Sequence, residues 1–229
     1  MKKVISKISL MLTIAILAAG PLMLFTAHAA WSQPANDPEA KEILDAVSAK
    51  YRAHDYIKAV FSYTFNSPSE NVTQTEEGSL YVQPGGNKYR VKVAGQEMIS
   101  NGTTSWVYLP EVNEVQVSDA AAGSGELNPA QLFTLHEKGF KYVLKGESNI
   151  DGKQVHLIDL VPLESSPYSK IELAVEKSAS LIRQLKVFDK NGNHYIYKIK
   201  TINFNPDPDS DFFTFSKADH PGVEVVDLR

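Results

Sequence analysis

The side chains able to do chemistry in this 229-residue chain are few, and their spacing does not suit it. Beyond residue 29 the histidines are His54, His136, His156, His194 and His220. No two stand at a metal-ligating interval such as H-x-x-x-H, so each reads as a packing or surface residue. Cysteine is absent, which removes a thiolate nucleophile, a disulfide framework and a lipid-modified N-terminal cysteine. Gly123-Ser124-Gly125 is a small-residue loop, not the strained elbow of a serine hydrolase. Asp207, Asp209 and Asp211 imitate the start of a calcium loop. Phe212 stands where that loop needs glycine, however, and Ala218 where it needs a bidentate glutamate. Acid pairs such as Glu76-Glu77 lie on polar segments. The chain is therefore expected to be no enzyme and to need no cofactor or metal. An exported hydrolase whose carboxylates meet only on folding leaves no local spacing, and it stands as the last alternative.

What the chain has in quantity is apolar and aromatic surface on strands. The stretch from Gly78 to Val117 reads as an antiparallel meander. Tyr89, Val91 and Val93 alternate with Arg90 and Lys92, the period of a half-buried strand. Asn101-Gly102 between Met98-Ile99 and Trp106-Val107-Tyr108 is a hairpin signal, because both turn residues tolerate positive φ. One face of this meander is expected to carry Tyr, Trp, Val and Met. Ahead of it, Ile57 to Phe65 is the clearest strand, with Ile57, Ala59, Phe61, Tyr63 and Phe65 on one face. After it, strands are expected at Phe140 to Gly146, Val155 to Val161, Ser169 to Glu176, Leu181 to Phe188 and Tyr195 to Phe204, with an edge strand at Val223 to Val226. Phe212, Phe213 and Phe215 are expected to pack.

Two helices interrupt the strands. Asp37-Pro38 is a cap followed by a first-turn proline. Ala40, Ile43, Leu44, Val47 and Tyr51 then share one face. Asn128-Pro129 repeats that signal ahead of Leu132, Phe133, Leu135 and His136, and Gly139 suits the position after a helix end. This second helix is either a lid or a plug at one end of a barrel. The count is about eleven strands and two helices in a mainly β fold.

Lys2, Lys3 and Lys7 precede an apolar run from Ile8 to Phe25, and Ala27-His28-Ala29 fits signal-peptide cleavage before Ala30. Residues 1–29 are expected to be a signal peptide and 30–229 a single exported domain. The formal charge is −4; without the three leader lysines, 20 basic and 27 acidic residues leave −7. That balance excludes the basic stripe of a nucleic-acid binder. An antiparallel sheet of this many strands curls around its inner face, and that face must be filled, covered or left as a cavity. The expectation is an interior roomier than its own side chains fill, and hence binding rather than catalysis.

The order of the pieces carries a resemblance. Gly78-Ser79-Leu80-Tyr81-Val82-Gln83-Pro84, then Lys88-Tyr89-Arg90, then Ser100-Asn101-Gly102-Thr103-Thr104-Ser105-Trp106-Val107-Tyr108 and Glu114-Val115-Gln116 resemble the periplasmic outer-membrane lipoprotein carrier proteins, the LolA family. Asp211-Phe212-Phe213-Thr214-Phe215 followed by Gly222-Val223-Glu224-Val225 is similar to that family's closing segment. The resemblance implies an unclosed antiparallel β-barrel of about eleven strands with a helical lid. It implies a periplasmic monomer that shields the acyl chains of lipoproteins. The cargo would come from an ATP-driven inner-membrane releasing complex and go to an outer-membrane acceptor. The family places Arg before the turn proline to lock the lid and pass cargo on; here Gln83 stands there. A sensor or assembly factor of the same fold, which binds lipid or lipoprotein without ferrying it, is the alternative. The expected acyl-chain cavity comprises Phe61, Tyr63, Phe65, Tyr89, Val91, Met98, Trp106 and Tyr108. Leu132, Phe133 and Leu135 are the expected lid, and Gln83 the transfer position.

Overall fold

A computed structural model describes residues 36–120 and 129–229. The expected signal peptide, the Gly123-Ser124-Gly125 loop and the cap at Asn128 lie outside these residues. The first helix, α1 (Pro38–Arg52), forms as its sequence dictates. Asp37 Oδ1 accepts the Glu39 and Ala40 backbone N–H groups at 2.9 and 3.3 Å. Those donors are orphans at any helix start, and Pro38 has none to satisfy. Ala40, Leu44, Val47 and Tyr51 are buried along one stripe.

Among the described residues twelve strands follow, against about eleven expected: β1 (Ile57–Ser67), β2 (Val72–Val82), β3 (Lys88–Val93), β4 (Gln96–Asn101), β5 (Thr104–Leu109), β6 (Glu114–Asp119), β7 (Phe140–Ile150), β8 (Lys153–Pro162), β9 (Tyr168–Glu176), β10 (Leu181–Asp189), β11 (His194–Phe204) and β12 (Glu224–Asp227). They form one unclosed sheet in the order β12-β6-β5-β4-β3-β2-β1-β11-β10-β9-β8-β7. Two meanders, β1 to β6 and β7 to β11, are joined by the long pairing of β1 with β11. All neighbours are antiparallel except β12, which runs parallel to β6. Strand β7 extends past its expected end through a bulge between Leu144 and Gly146, where Gly146 adopts φ +133°.

The second expected helix forms as well. Pro129–Glu137 is a 3-10 helix, not an α-helix. Such helices have poorer hydrogen-bond geometry and seldom run this long. Packing sustains it: Ala130 and Leu135 are buried, and it lies against α1, β2, β3 and β7.

The core sits on one face of the sheet, here called inner. It is built from Ile57, Ala59 and Phe61 of β1, Leu80 and Val82 of β2, Ile158 and Leu160 of β8, and Ile171, Leu173 and Val175 of β9. The buried stripe of α1 completes it. Each large apolar side chain buried in this way contributes about 1.5–3 kcal/mol. Tyr51 carries a polar group into this core: 2% exposed, it accepts a hydrogen bond at its hydroxyl from the Ile182 N–H of β10 at 3.1 Å. Burial raises its pKa to about 12. A phenol held neutral in the fold stabilises it fully below pH 10, and that contribution is lost as pH rises from about 10 to 12. Urea unfolding across this range should show wild type losing about 2–3 kcal/mol that Tyr51→Phe does not lose. At neutral pH the variant should be about 1 kcal/mol weaker, for want of the acceptor.

Candidate functional site

The inner face gathers most of the residues expected there. Phe61 and Val91 are buried, and Tyr63, Tyr89 and Met98 pack against the same cluster. Phe65 lies further along β1, with its ring 5.5 Å from that of Tyr195. Two residues that sequence reading did not assign to the site join them. Tyr197 of β11 stands opposite Tyr63, their rings 5.3 Å apart, and 5.7 Å from the ring of Phe61; Tyr195 stands opposite Phe65. The result is an aromatic strip on β1 and β11. Its rings past Phe61 are half-buried. Burial raises the pKa of both Tyr63 and Tyr195, so their hydroxyls stay neutral. The alternation of Tyr195 and Tyr197 was visible in the sequence, but their partners Phe65 and Tyr63 lie on a strand far away in the chain, beyond any local signal.

Gly78 shows why the meander begins with glycine. It pairs with Phe61 across β1 and β2, and a Cβ built there would fall 2.4 Å from the Phe61 ring. The ring lies flat over a backbone that has no side chain.

Trp106 and Tyr108 do not belong with this group, and the expectation is corrected by register. Met98 pairs with Val107, while Ile99 pairs with Trp106 and Glu97 with Tyr108. Paired residues point to the same side and a one-residue shift exchanges the faces. The hairpin at Gly102 therefore puts Trp106 and Tyr108 on the outer face. Chain beyond β11 covers part of that face. Phe212 packs on Tyr81 with ring centroids 4.6 Å apart, Phe213 on Tyr56 at 5.6 Å, and Phe215 on Tyr108 at 5.5 Å. Arg90 fastens this strap: Nε donates to Glu97 Oε1 at 2.5 Å, Nη1 donates to the Phe212 carbonyl at 2.8 Å, and the guanidinium lies 5.1 Å from the Phe212 ring centre. Glu97 is only 7% exposed, and Lys92 Nζ lies 3.3 Å from the same carboxylate oxygen.

Leu132, Phe133 and Leu135 lie over the inner face. Phe133 stacks on Tyr51 with centroids 3.9 Å apart and planes 12° from parallel. Its carbonyl accepts from Ser48 Oγ at 2.6 Å. Arg52 pairs with Glu137 at 2.7 Å, and His136 with Asp45 at 3.0 Å. Asp45 is held below the usual carboxylate range first by Lys41 and then by His136. Arg52 does the same for Glu137. The side chains of α1 and the lid pack on this face, and Ile158, Leu160 and Ile171 are fully buried. A cleft of about 330 Å³ remains at the rim, between the lid and Gly85, Gly86 and Asn87. A second cleft, about 770 Å³, involves the outer face at Ser79, Lys92, Glu97, Tyr108 and His220. Gln83 lies back over its own turn, its Oε1 2.9 Å from where a Cβ of Gly86 would be.

Three of the other histidines pack on rings: His54 stacks on Phe204, His194 meets Phe188 edge-on, and His220 stacks on Phe215. Among the described residues no group of three or more His, Asp or Glu side chains is placed to hold a metal ion.

An unclosed, almost wholly antiparallel sheet whose apolar inner face is roofed by helices defines an open-barrel fold. Residues 53–216 match the family described as outer membrane lipoprotein carrier protein LolA, and the chain belongs to that family. It is 24% identical over 193 residues to an outer-membrane lipoprotein carrier protein of Dechloromonas aromatica (strain RCB), a match covering 80% of this chain and 90% of the relative. Among solved structures it is similar to an uncharacterized conserved protein from Thermus thermophilus, with TM-score 0.56, 15% identity, and 82% and 99% of the two chains covered. A LolA superfamily protein from Nitrosomonas europaea matches with TM-score 0.42 and 15% identity, over 77% of this chain and 97% of that one.

Two substitutions test the site's framework. Gly78→Ala should cost about 1–3 kcal/mol in urea unfolding, part of it recovered by Phe61→Leu, because the clash is with that ring. Arg90→Ala should cost about 1–3 kcal/mol by leaving the Phe212 carbonyl without its donor and the Glu97 carboxylate with Lys92 alone. Limited proteolysis should then cut between residues 205 and 223 much faster than in wild type.

Proposed function

We propose that this chain is a periplasmic carrier that shields the acyl chains of lipoproteins on its inner face and moves them from inner to outer membrane. Membership of the LolA family supports this reading. The observation that carries it is an apolar face with a half-buried aromatic strip, roofed by a short apolar helix that is a separate piece from the sheet. An acyl chain in water costs about 0.8 kcal/mol per CH₂, so a free triacylated protein does not cross an aqueous space unaided. With the lid displaced, Phe61, Tyr63, Phe65, Tyr89, Val91 and Met98, together with Tyr195 and Tyr197, are the residues we assign to acyl contact. The partners are acylated lipoproteins, an ATP-driven inner-membrane releasing complex and an outer-membrane acceptor. The protein acts as a monomer, with no enzymatic activity, after removal of residues 1–29.

Gln83 favours a second reading. Lying back over its own turn, it supplies no charge to lock a lid or hand cargo on. A sensor or assembly factor that holds lipoprotein without transferring it would need no such residue. The two readings part in one experiment. Mature protein purified from the periplasm should bring lipoproteins with it and release them to outer-membrane vesicles. Retention without release supports the sensor, and absence of any acylated cargo, with lipoprotein sorting unchanged on depletion, defeats both.

A further inference from the structure

The outer face of the sheet is covered at one end and bare at the other. Chain after β11 lays Phe212 and Phe215 on Tyr81 and Tyr108 of the first meander. At the far border three aliphatic side chains meet solvent: Val143 is 42% exposed, Val161 43% and Leu163 64%. Alternation puts Val143 and Val161 on the outer side, because their neighbours Tyr142, Leu144 and Leu160 join the inner core. Lys141 pairs with Val161, and the Leu163 N–H donates to the Gly139 carbonyl at 2.9 Å. The three aliphatics therefore lie together where β7 begins and β8 ends.

Lysines surround them. Residues 138–145 hold Lys138, Lys141 and Lys145 and no acid, in a chain whose balance beyond the leader is −7. None of the three has an ion-pair partner among the described residues. Nearby acids are occupied: Asp159, opposite Val143, pairs with Lys170 at 3.1 Å, and Glu137 pairs with Arg52. Glu164 follows Leu163 and offsets one lysine. Such a surface suits a bilayer better than a folded partner. Protein interfaces are rich in aromatic residues and arginine and poor in lysine, and this patch is the reverse. A peptide strand finds no place here, because Asn36 and Asp37 already take up the Tyr142 and Leu144 N–H groups and the Tyr142 carbonyl on the free side of β7. A second copy docked by the same patch would set lysine against lysine. An anionic headgroup layer attracts the ammonium groups and lets the aliphatic tips enter the boundary beneath it.

We propose that the outer face where β7 begins and β8 ends docks on an anionic phospholipid membrane. Lys138, Lys141 and Lys145 meet the headgroups, and Val143, Val161 and Leu163 reach the acyl boundary. The overall negative charge of the chain is repelled by the same surface, so the contact is local and holds the molecule in one orientation. It lies on the opposite side of the sheet from the apolar core and does not depend on what that core binds.

Co-sedimentation of protein purified from the periplasm with vesicles tests this. One set holds equal parts of phosphatidylglycerol and phosphatidylethanolamine, the other phosphatidylcholine alone. Binding should be confined to the anionic vesicles and should fall away as salt is raised. The triple variant Lys138→Gln, Lys141→Gln, Lys145→Gln should bind about a hundredfold more weakly, at about fivefold per lysine. The control triple Lys88→Gln, Lys190→Gln, Lys217→Gln should bind as wild type does. The cysteine-free chain permits a check on orientation. A polarity-sensitive dye on Leu163→Cys should shift to the blue on anionic vesicles, and the same dye on Val112→Cys, 66% exposed near the opposite border, should not. Absence of vesicle binding, equal binding to both vesicles, equal loss in the two triple variants, or a shift of both dyes overturns the proposal. Capture of soluble polyglutamate through the three lysines, without vesicle binding, would give the patch to an acidic peptide and overturn the lipid assignment.

Discussion

Everything on the inner face depends on the register of β1. This strand is shared by both meanders: it pairs with β2 on one side and with β11 on the other. Its pleat fixes which side of each neighbour faces inward. With Ile57, Ala59 and Phe61 inside, Leu80 and Val82 follow on β2, and Tyr197 and Ile199 on β11. A shift of one residue would turn Lys58, Ser62 and Thr64 inward and put the aromatics in water. The Phe61 ring over Gly78 fixes that register, since another residue at position 78 would meet the ring.

Much of this was legible in the sequence, and the reasons differ by element. Helix α1 was readable because its cap, its proline and its apolar spacing are all local. The strands were readable from alternation and turn residues. The lid's place over the core was readable from its composition, but its 3-10 form was not, since tertiary packing selects it. Trp106 and Tyr108 were misplaced because the parity across the hairpin was not followed: a two-residue loop, here Gly102-Thr103, sets Met98 opposite Val107 and Trp106 opposite Ile99, so Met98 and Trp106 face opposite ways. Ser48, Tyr51, Tyr195 and Tyr197 were missed as site residues because their partners are far away in the chain.

The outer face shows how the sequence motifs divide their labour within this one chain. The Tyr89-Arg90 pair does two jobs by pointing two ways. Tyr89 packs toward the inner cluster, and Arg90 holds Glu97 and the Phe212 carbonyl on the other side. The Phe212–Phe215 segment is thus a clamp on the back of the sheet, and not part of the apolar interior. Through it the strand β12 is delivered to β6, where the Glu224 N–H donates to the Asn113 carbonyl at 2.9 Å.

An unclosed sheet has two borders, and the longer one here is β7. The carboxylate of Asp37 serves that border as well as its own helix: one oxygen caps α1, and the other occupies the Leu144 N–H on the free side of the strand. A row of vacant backbone donors invites a strand from another molecule. The residue that begins the helix therefore also acts as a stop against runaway stacking of one protein copy upon the next. Asn36, whose Oδ1 accepts the neighbouring Tyr142 N–H, shares that task, so the seating of the first helix and the covering of the sheet's border are one arrangement.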